Sequence, residues 1–352
     1  MTAGFTYVGL PYRIRFGRDL LPEVDAEVAR LGRSRVLLLT SADLAGPGDR
    51  VEDLLGPRCV ARFDGAALHT PVGVTEEALG LLQASDADCV VAVGGGSTTG
   101  LAKALAARTG VDQVILPTTY AGSEVTPVLG ETADGKKTTR SSPSILPETV
   151  LYDVELSRGL PVPIAVTSAV NALAHAVEAL YSAQANPIVD GWALDAVSAI
   201  GAGLEHLAAD PFGLDVRADL LRGAWLAGMC LASVGMGLHH KLCHVLGGSF
   251  GLPHASTHTV VLPHVMRYNA PAAPEVLARI AGAMGVPDAP SGVDDLVRRA
   301  DGPTSLRELG LPFDALGEAA DQATASPYPN PRTLTREGVL ELLTRAWHGV
   351  RP

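Results

Sequence analysis

The stretch GLHHKLCHVLGGSFGLPH, residues 237–254, sets four histidines, His239, His240, His244 and His254, within eighteen residues. Imidazole serves as metal ligand, proton donor or hydrogen-bond donor near neutral pH, so such a cluster is a candidate for polarising a substrate oxygen. His240 and His244 stand four residues apart, the spacing that puts two side chains on one face of a helix. Upstream, VNALAHAVEALY repeats that spacing with Asn171 and His175. Two such pairs plus His254, placed by Pro253 in a loop or at a helix start, give the number and spacing of a metal site in a helical domain. The donors leave two options open. Three imidazoles hold Zn²⁺, whereas hard Fe²⁺ or Mg²⁺ calls for a carboxylate that Asn171 does not supply. The other option is a metal-free site in which imidazoles donate protons or hydrogen bonds. His239, His258 and His264 read singly as core residues, and His69, His206 and His348 as surface ones.

A second feature points to phosphate. VVAVGGGSTTGLAKA runs from a buried strand through Gly94, Gly95 and Gly96 into a helix that begins near Ser97. Glycine lets backbone approach a phosphate, and the free N–H groups of a helix start stabilise its charge. This is not the GxGxxG fingerprint, so the loop alone specifies phosphate and not a particular dinucleotide. The next strand ends in PTTYAGSEVTP, where Thr118, Thr119, Ser123 and Thr126 offer neutral hydroxyls suited to a dinucleotide.

These residues need elements to position them. Through about residue 150, β-branched apolar runs at 35–40, 88–97 and 113–120 alternate with helical patterns such as 101–109. Strands without polar alternation are covered on both faces, which predicts a parallel sheet flanked by helices. From Pro161 onward, Ala/Leu-rich helical patterns follow one another, with helices expected at 164–181, 187–207 and 216–233. Gly159, Pro161 and Pro163 interrupt both rhythms, so the expected domains are 1–158 and 159–352.

At 352 residues the chain exceeds one ordinary core, and 47% hydrophobic against 18% charged residues fits a packed globular enzyme. A net charge of −11 opposes general affinity for nucleic acid or anionic membrane. Cys59, Cys89, Cys230 and Cys243 form no CxxC pair and read as reduced thiols, and no run nears the roughly 18 apolar residues a span requires. The expectation is a soluble cytoplasmic protein.

GGGS, PTTYAGSEVTP, NALAHAVEALYS, HHKLCHVLGGSFGLPH and VVLPHVMRYNAPA, in this order, resemble the maleylacetate reductase branch of the iron-containing alcohol dehydrogenase family, over nearly the whole chain. The resemblance implies an α/β Rossmann-like N-terminal domain, an all-α C-terminal domain as in dehydroquinate synthase-like folds, NADH or NADPH in the cleft between them, and a homodimer. It implies reduction of the C=C bond of maleylacetate to 3-oxoadipate in aromatic-compound catabolism. Metal-dependent relatives use one Asp and three His, matching Asn171, His175, His240 and His254, and the Asn is the feature of branch members that work without added metal. His244 matches the additional active-site histidine near the nicotinamide. Gly100 stands where an Asp is usual after the glycine loop, and Thr40 and Ser41 follow the second strand where NAD-selective relatives carry an acid. Two substrate carboxylates call for cations: Lys241 first, then Arg140, Lys137 and Arg332, with Tyr120 as a hydrogen-bonding candidate. Rival readings are a metal-dependent alcohol or polyol dehydrogenase, a dehydroquinate synthase-like lyase and a non-catalytic nucleotide-binding protein.

Overall fold

The structure, a computed structural model, describes residues 4–133 and 136–352. Two compact units make up the chain: Val8–Leu160, and Pro161–Pro352 with the segment that ends at Tyr7. The Tyr7 ring meets Trp192 edge-on, with centroids 5.6 Å apart. Residues 4–7 therefore belong with the helical unit, whereas the expected boundary at 158 places them in the other.

In the sheet unit, strands β1 (Arg13–Gly17), β2 (Val36–Leu39), β3 (Cys59–Phe63), β4 (Cys89–Gly94), β5 (Asp112–Pro117) and β8 (Thr149–Asp153) form a parallel sheet ordered β1-β8-β5-β4-β2-β3. β6 (Val128–Ala133) and β7 (Lys136–Ser141) form a separate antiparallel hairpin. Every residue of β2, β4 and β8 is buried, as strands covered on both faces require, and only the outer β1 and β3 are half-exposed. Helices α1 (Val24–Arg30), α2 (Ala45–Leu55), α3 (Val72–Ala84), α4 (Gly96–Thr109) and the short α5 (Val154–Ser157) belong to this unit. After β2 the chain moves outward to β3, then returns to β4 on the other side of β2. The order reverses between β2 and β4, and the crevice at the carboxyl ends of such strands is where open α/β sheets take ligands.

The helical unit comprises α6 (Val162–Leu180), α7 (Pro187–Leu207), α8 (Leu214–Ser233), α9 (Leu238–Phe250), α10 (His254–Asn269), α11 (Pro274–Met284), α12 (Ala289–Arg299), α13 (Ala315–Thr324) and α14 (Arg336–His348). The helices expected from spacing lie within two residues of α6, α7 and α8. α6 opens on Pro161 and Pro163, whose fixed φ suits a first turn, and nearly all of it is buried. Among the described residues it is the single helix long and apolar enough to cross a membrane, and 78% of that stretch is buried inside the protein. The chain turns by 96° between α8 and α9. That bend brings the start of α9 against α6, so the two i, i+4 pairs meet.

Candidate active site

α6, α9 and the first residue of α10 bring the expected constellation together. The His175 and His240 rings stack with centroids 5.0 Å apart, and His244 follows on α9 at 6.4 Å from His240. Asn171, one turn before His175, is buried beside them on α6. His254 begins α10, and its ring lies 4.4 Å from that of His258. His258 is fully buried, 5.1 Å from His240, and shares a 2.9 Å hydrogen bond with Nε2 of His239. His239 and His258 are thus members of one ring of six imidazoles, not isolated core residues. Their place was hidden in the sequence because helix α10, nineteen residues on, brings His258 to His239. Burial first, then the neighbouring imidazoles, holds His175, His239 and His258 well below the ordinary histidine range, so all three are neutral. His244 is exposed and His254 half-buried. His69, His206 and His348 lie on the surface, as expected.

Glu178 is the residue the sequence reading missed. It falls three residues after His175 on the same face of α6 and is the one carboxylate in that apolar helix. Completely buried, it accepts backbone N–H groups of Gly237 and His239 at 2.9 Å each, that of His240 at 3.3 Å, and Nδ1–H of His240 at 2.7 Å. α9 has no capping side chain of its own, so a carboxylate from α6 satisfies its orphan donors and its positive dipole end. The same contact fixes the His240 tautomer: Nδ1 carries a proton and Nε2 is aimed away from Glu178. The legible signal was a lone charge in a helix otherwise free of it.

Nε2 of His240, Nδ1 of His175 and Oδ1 of Asn171 are buried with no hydrogen-bond partner among the described residues. Buried polar atoms without a partner on these neighbouring residues suit a cation, a hydrogen-bonding substrate or ordered water. As a metal site the set fits only by residue type: with His254 it offers imidazoles of the kind Zn²⁺ takes, with a carboxylate behind His240 and no anionic ligand for a hard ion, whereas the described residues whose ligand atoms all lie within 4.8 Å of one another are His239, Cys243 and His258. Lys241, half-buried on α9, has no carboxylate partner among the described residues, as an anion-binding lysine would. Of the other cations, Arg140 is paired with Glu131, Arg332 lies over the Tyr268 ring at 4.3 Å and donates to the Tyr268 carbonyl, and the Lys137 side chain lies outside the described residues.

In the sheet unit, a Cβ on Gly94 would sit 2.3 Å from Thr98 Oγ1, and one on Gly95 2.8 Å from Thr119 Cγ2, so packing alone demands glycine at both. A Cβ on Gly96 meets only ordinary contacts, and that residue is exposed at the first turn of α4. No side chain caps α4, which leaves N–H groups at Gly96 and Ser97 available to phosphate. Thr118 is held at the end of β5 by its N–H to the Gly94 carbonyl, 3.0 Å, with Thr119 and Ser123 beyond it, and Ser41 follows β2 beside the same crevice. Two of the expected contacts sit below the surface. Tyr120 is completely buried and packs in the core, and the Thr126 hydroxyl is bonded to Lys103 and the Ser123 carbonyl, so it supports the turn from beneath. At Gly100 a Cβ would lie 2.3 Å from Thr70 Oγ1, so a side chain there requires that hydroxyl to turn away.

Two family models match the chain: iron-containing alcohol dehydrogenase over residues 11–154, and the C-terminal region of the Fe-containing alcohol dehydrogenase family over residues 165–347. The chain is 64% identical to maleylacetate reductase 1 of Rhodococcus opacus across 99% of this chain and 98% of that protein. It is 47% identical to maleylacetate reductase of Burkholderia cepacia across 97% of each. The crystal structure of maleylacetate reductase from Agrobacterium tumefaciens superposes with a TM-score of 0.96 at 47% identity, over 100% of both chains.

Proposed function

The chain belongs to the iron-containing alcohol dehydrogenase family, and from that premise we propose that it is a maleylacetate reductase, an oxidoreductase that uses NADH or NADPH to reduce the C=C bond of maleylacetate, giving 3-oxoadipate. The observation that carries this reading is the ring of imidazoles around His240, with Asn171 in place of an acid and Glu178 set behind the ring. Full-length likeness to several maleylacetate reductases supports it.

Reduced nicotinamide, when bound, would supply hydride chemistry; addition at the alkene carbon β to the ketone would leave negative charge on the ketone oxygen as an enolate. The protein's part is to bind, orient and manage that charge. In the sheet unit, Gly96 and Ser97 offer N–H groups to the dinucleotide phosphates, and Thr118, Thr119, Ser123 and Ser41 offer neutral contacts. In the helical unit, His240, His244 and His254 are the donors for the enolate oxygen, a role worth roughly a hundred- to ten-thousand-fold in rate. Because Nδ1–H of His240 is committed to Glu178, Nε2 donates only when the ring is imidazolium, and the carboxylate stabilises that cation until its proton passes to the enolate carbon or oxygen. Lys241 supplies positive charge for a substrate carboxylate.

A divalent cation held by Asn171, His175, His240 and His254 would polarise the same oxygen as a Lewis acid; the proposed reaction does not require one. The same reading makes the protein a cytoplasmic homodimer acting on a small dicarboxylate, in keeping with its charge of −11 and four free thiols. The deciding assay follows nicotinamide absorbance with purified protein, maleylacetate and each reduced nicotinamide, with and without chelator. Turnover that survives chelation supports the proposal. Turnover restored only by added Zn²⁺ or Fe²⁺, or seen only with alcohols and simple carbonyls, would replace it with the metal-dependent alcohol or polyol dehydrogenase reading, which the orphaned donor set favours.

A further inference from the structure

Lys103 stands on α4, seven residues after Gly96, and is 1% exposed. An ammonium group in such a place is costly unless every donor is bonded. Here every donor is. Nζ donates to the Ser123 carbonyl, to Thr126 Oγ1 at 3.0 Å and to the Val128 carbonyl at 3.0 Å, and the Thr126 hydroxyl donates in turn to the Ser123 carbonyl at 2.9 Å. All three acceptors belong to the irregular turn that leaves β5, passes through left-handed Gly122 (φ 73°) and enters β6. That turn carries Thr119 and Ser123, and α4 carries Gly96 and Ser97. An apolar side chain would fill the same slot without specifying where the turn sits, whereas three directed donors give it one position.

We infer that Lys103 is a positioning residue for the dinucleotide site, a strut from the phosphate-facing helix that holds the Thr118–Ser123 turn in its binding geometry. The inference rests on the cofactor reading above. Lys103 touches no cofactor in this account and acts through the turn.

The charges around it give the strut a second property. Burial pulls the Lys103 pKa down to about 7, and Glu124, itself buried and bonded to the Tyr152 hydroxyl at 2.8 Å, is the charged group that opposes the fall. As ammonium, Lys103 has three protons for three oxygens. As an amine it has two, and its lone pair faces the third oxygen. Cofactor affinity therefore weakens as pH rises through about 7.

The test is direct binding of NADH, read by nicotinamide fluorescence without substrate at pH 6.5 and 8.5, for the wild type, Lys103→Met and Thr126→Val. Lys103→Met should weaken NADH binding about tenfold or more at pH 6.5, the loss expected when charged hydrogen bonds disappear, and should abolish the wild-type weakening toward pH 8.5. Thr126→Val, which removes one acceptor and keeps the lysine, should shift affinity in the same direction by less, and it carries the test should the methionine variant fail to fold. A folded Lys103→Met protein, or failing that a Thr126→Val protein, that binds NADH within twofold of wild type at pH 6.5 would overturn the inference. Wild-type protein that binds neither NADH nor NADPH would instead remove the cofactor reading beneath it.

Discussion

Glu178→Gln isolates the contact that joins the fold of the helical unit to its chemistry. The substitution keeps shape and removes charge. In the wild type, one carboxylate oxygen takes the N–H groups of Gly237 and His240 together with Nδ1–H of His240, and the other takes the His239 N–H. An amide has one such oxygen. If it takes the triply bonded place, the His239 N–H faces an NH₂ group and one charge-assisted bond is lost, about 1.5–3 kcal/mol. If it turns the other way, His240 must shed its Nδ1 proton and accept from the amide, which moves the remaining proton to Nε2. Either outcome removes the negative charge that supports imidazolium at His240. The expected result is a folded protein with native helical content whose kcat falls roughly a hundred- to ten-thousand-fold, the range for losing a positioned acid–base group, while the KM for NADH changes little. The assay is steady-state oxidation of NADH by maleylacetate beside a circular dichroism spectrum. A kcat within about threefold of wild type would refute the role given to Glu178, and with it the tautomer assigned to His240.

Three further outcomes follow from the same geometry. Asn171→Asp adds a carboxylate to the orphaned acceptors of His175 and His240 and should give tight, near-stoichiometric Zn²⁺ or Fe²⁺ binding in metal analysis; a protein that stays metal-free under loading contradicts the donor-set argument. Lys241→Ala should raise the KM for maleylacetate about tenfold or more with kcat and cofactor affinity little changed, and an unchanged KM would move carboxylate recognition elsewhere. Burial holds His264 at about 4 while the unfolded chain protonates it near 6.5, so the unfolded state binds more protons between those values. The stability this residue contributes is present above pH 6.5 and lost as pH falls, at about 1.4 kcal/mol per pH unit. Denaturant midpoints at pH 7.5 and 5 should fall less in His264→Gln than in the wild type, and equal losses would refute the burial effect.

The parts legible in sequence are those encoded by local spacing. Asn171 with His175, and His240 with His244, read as helical pairs because period and polarity agree within one turn, and the buried strands read as runs of branched apolar residues. What escaped is what a second element decides. Glu178 looks like any helix carboxylate until the α8–α9 bend brings three backbone N–H groups to it. Thr126 has the right hydroxyl in the right turn, yet Lys103, twenty-three residues earlier in the chain, claims that hydroxyl from below. Tyr120, in a turn rich in polar residues, is taken into the core instead. A residue type states what a side chain is able to do, and the neighbour contributed by tertiary structure selects among those abilities.

The placement of charge follows from what the substrate brings. Maleylacetate carries two carboxylates, and its reduction creates further negative charge on the ketone oxygen. An acid at position 171 would lie among these charges in a buried site where repulsion is poorly screened, and without a cation to neutralise it would oppose both binding and enolate formation. An amide there removes the repulsion and leaves a polar oxygen. The negative charge that imidazolium needs is supplied by Glu178, on the side of His240 away from the orphaned acceptors and spread over three backbone N–H groups and one imidazole. On the proposed mechanism Asn171 and Glu178, seven residues apart on one face of α6, act as a pair. Restoring an acid at 171 should make the site depend on a cation, whereas removing the acid at 178 should disable it with or without one.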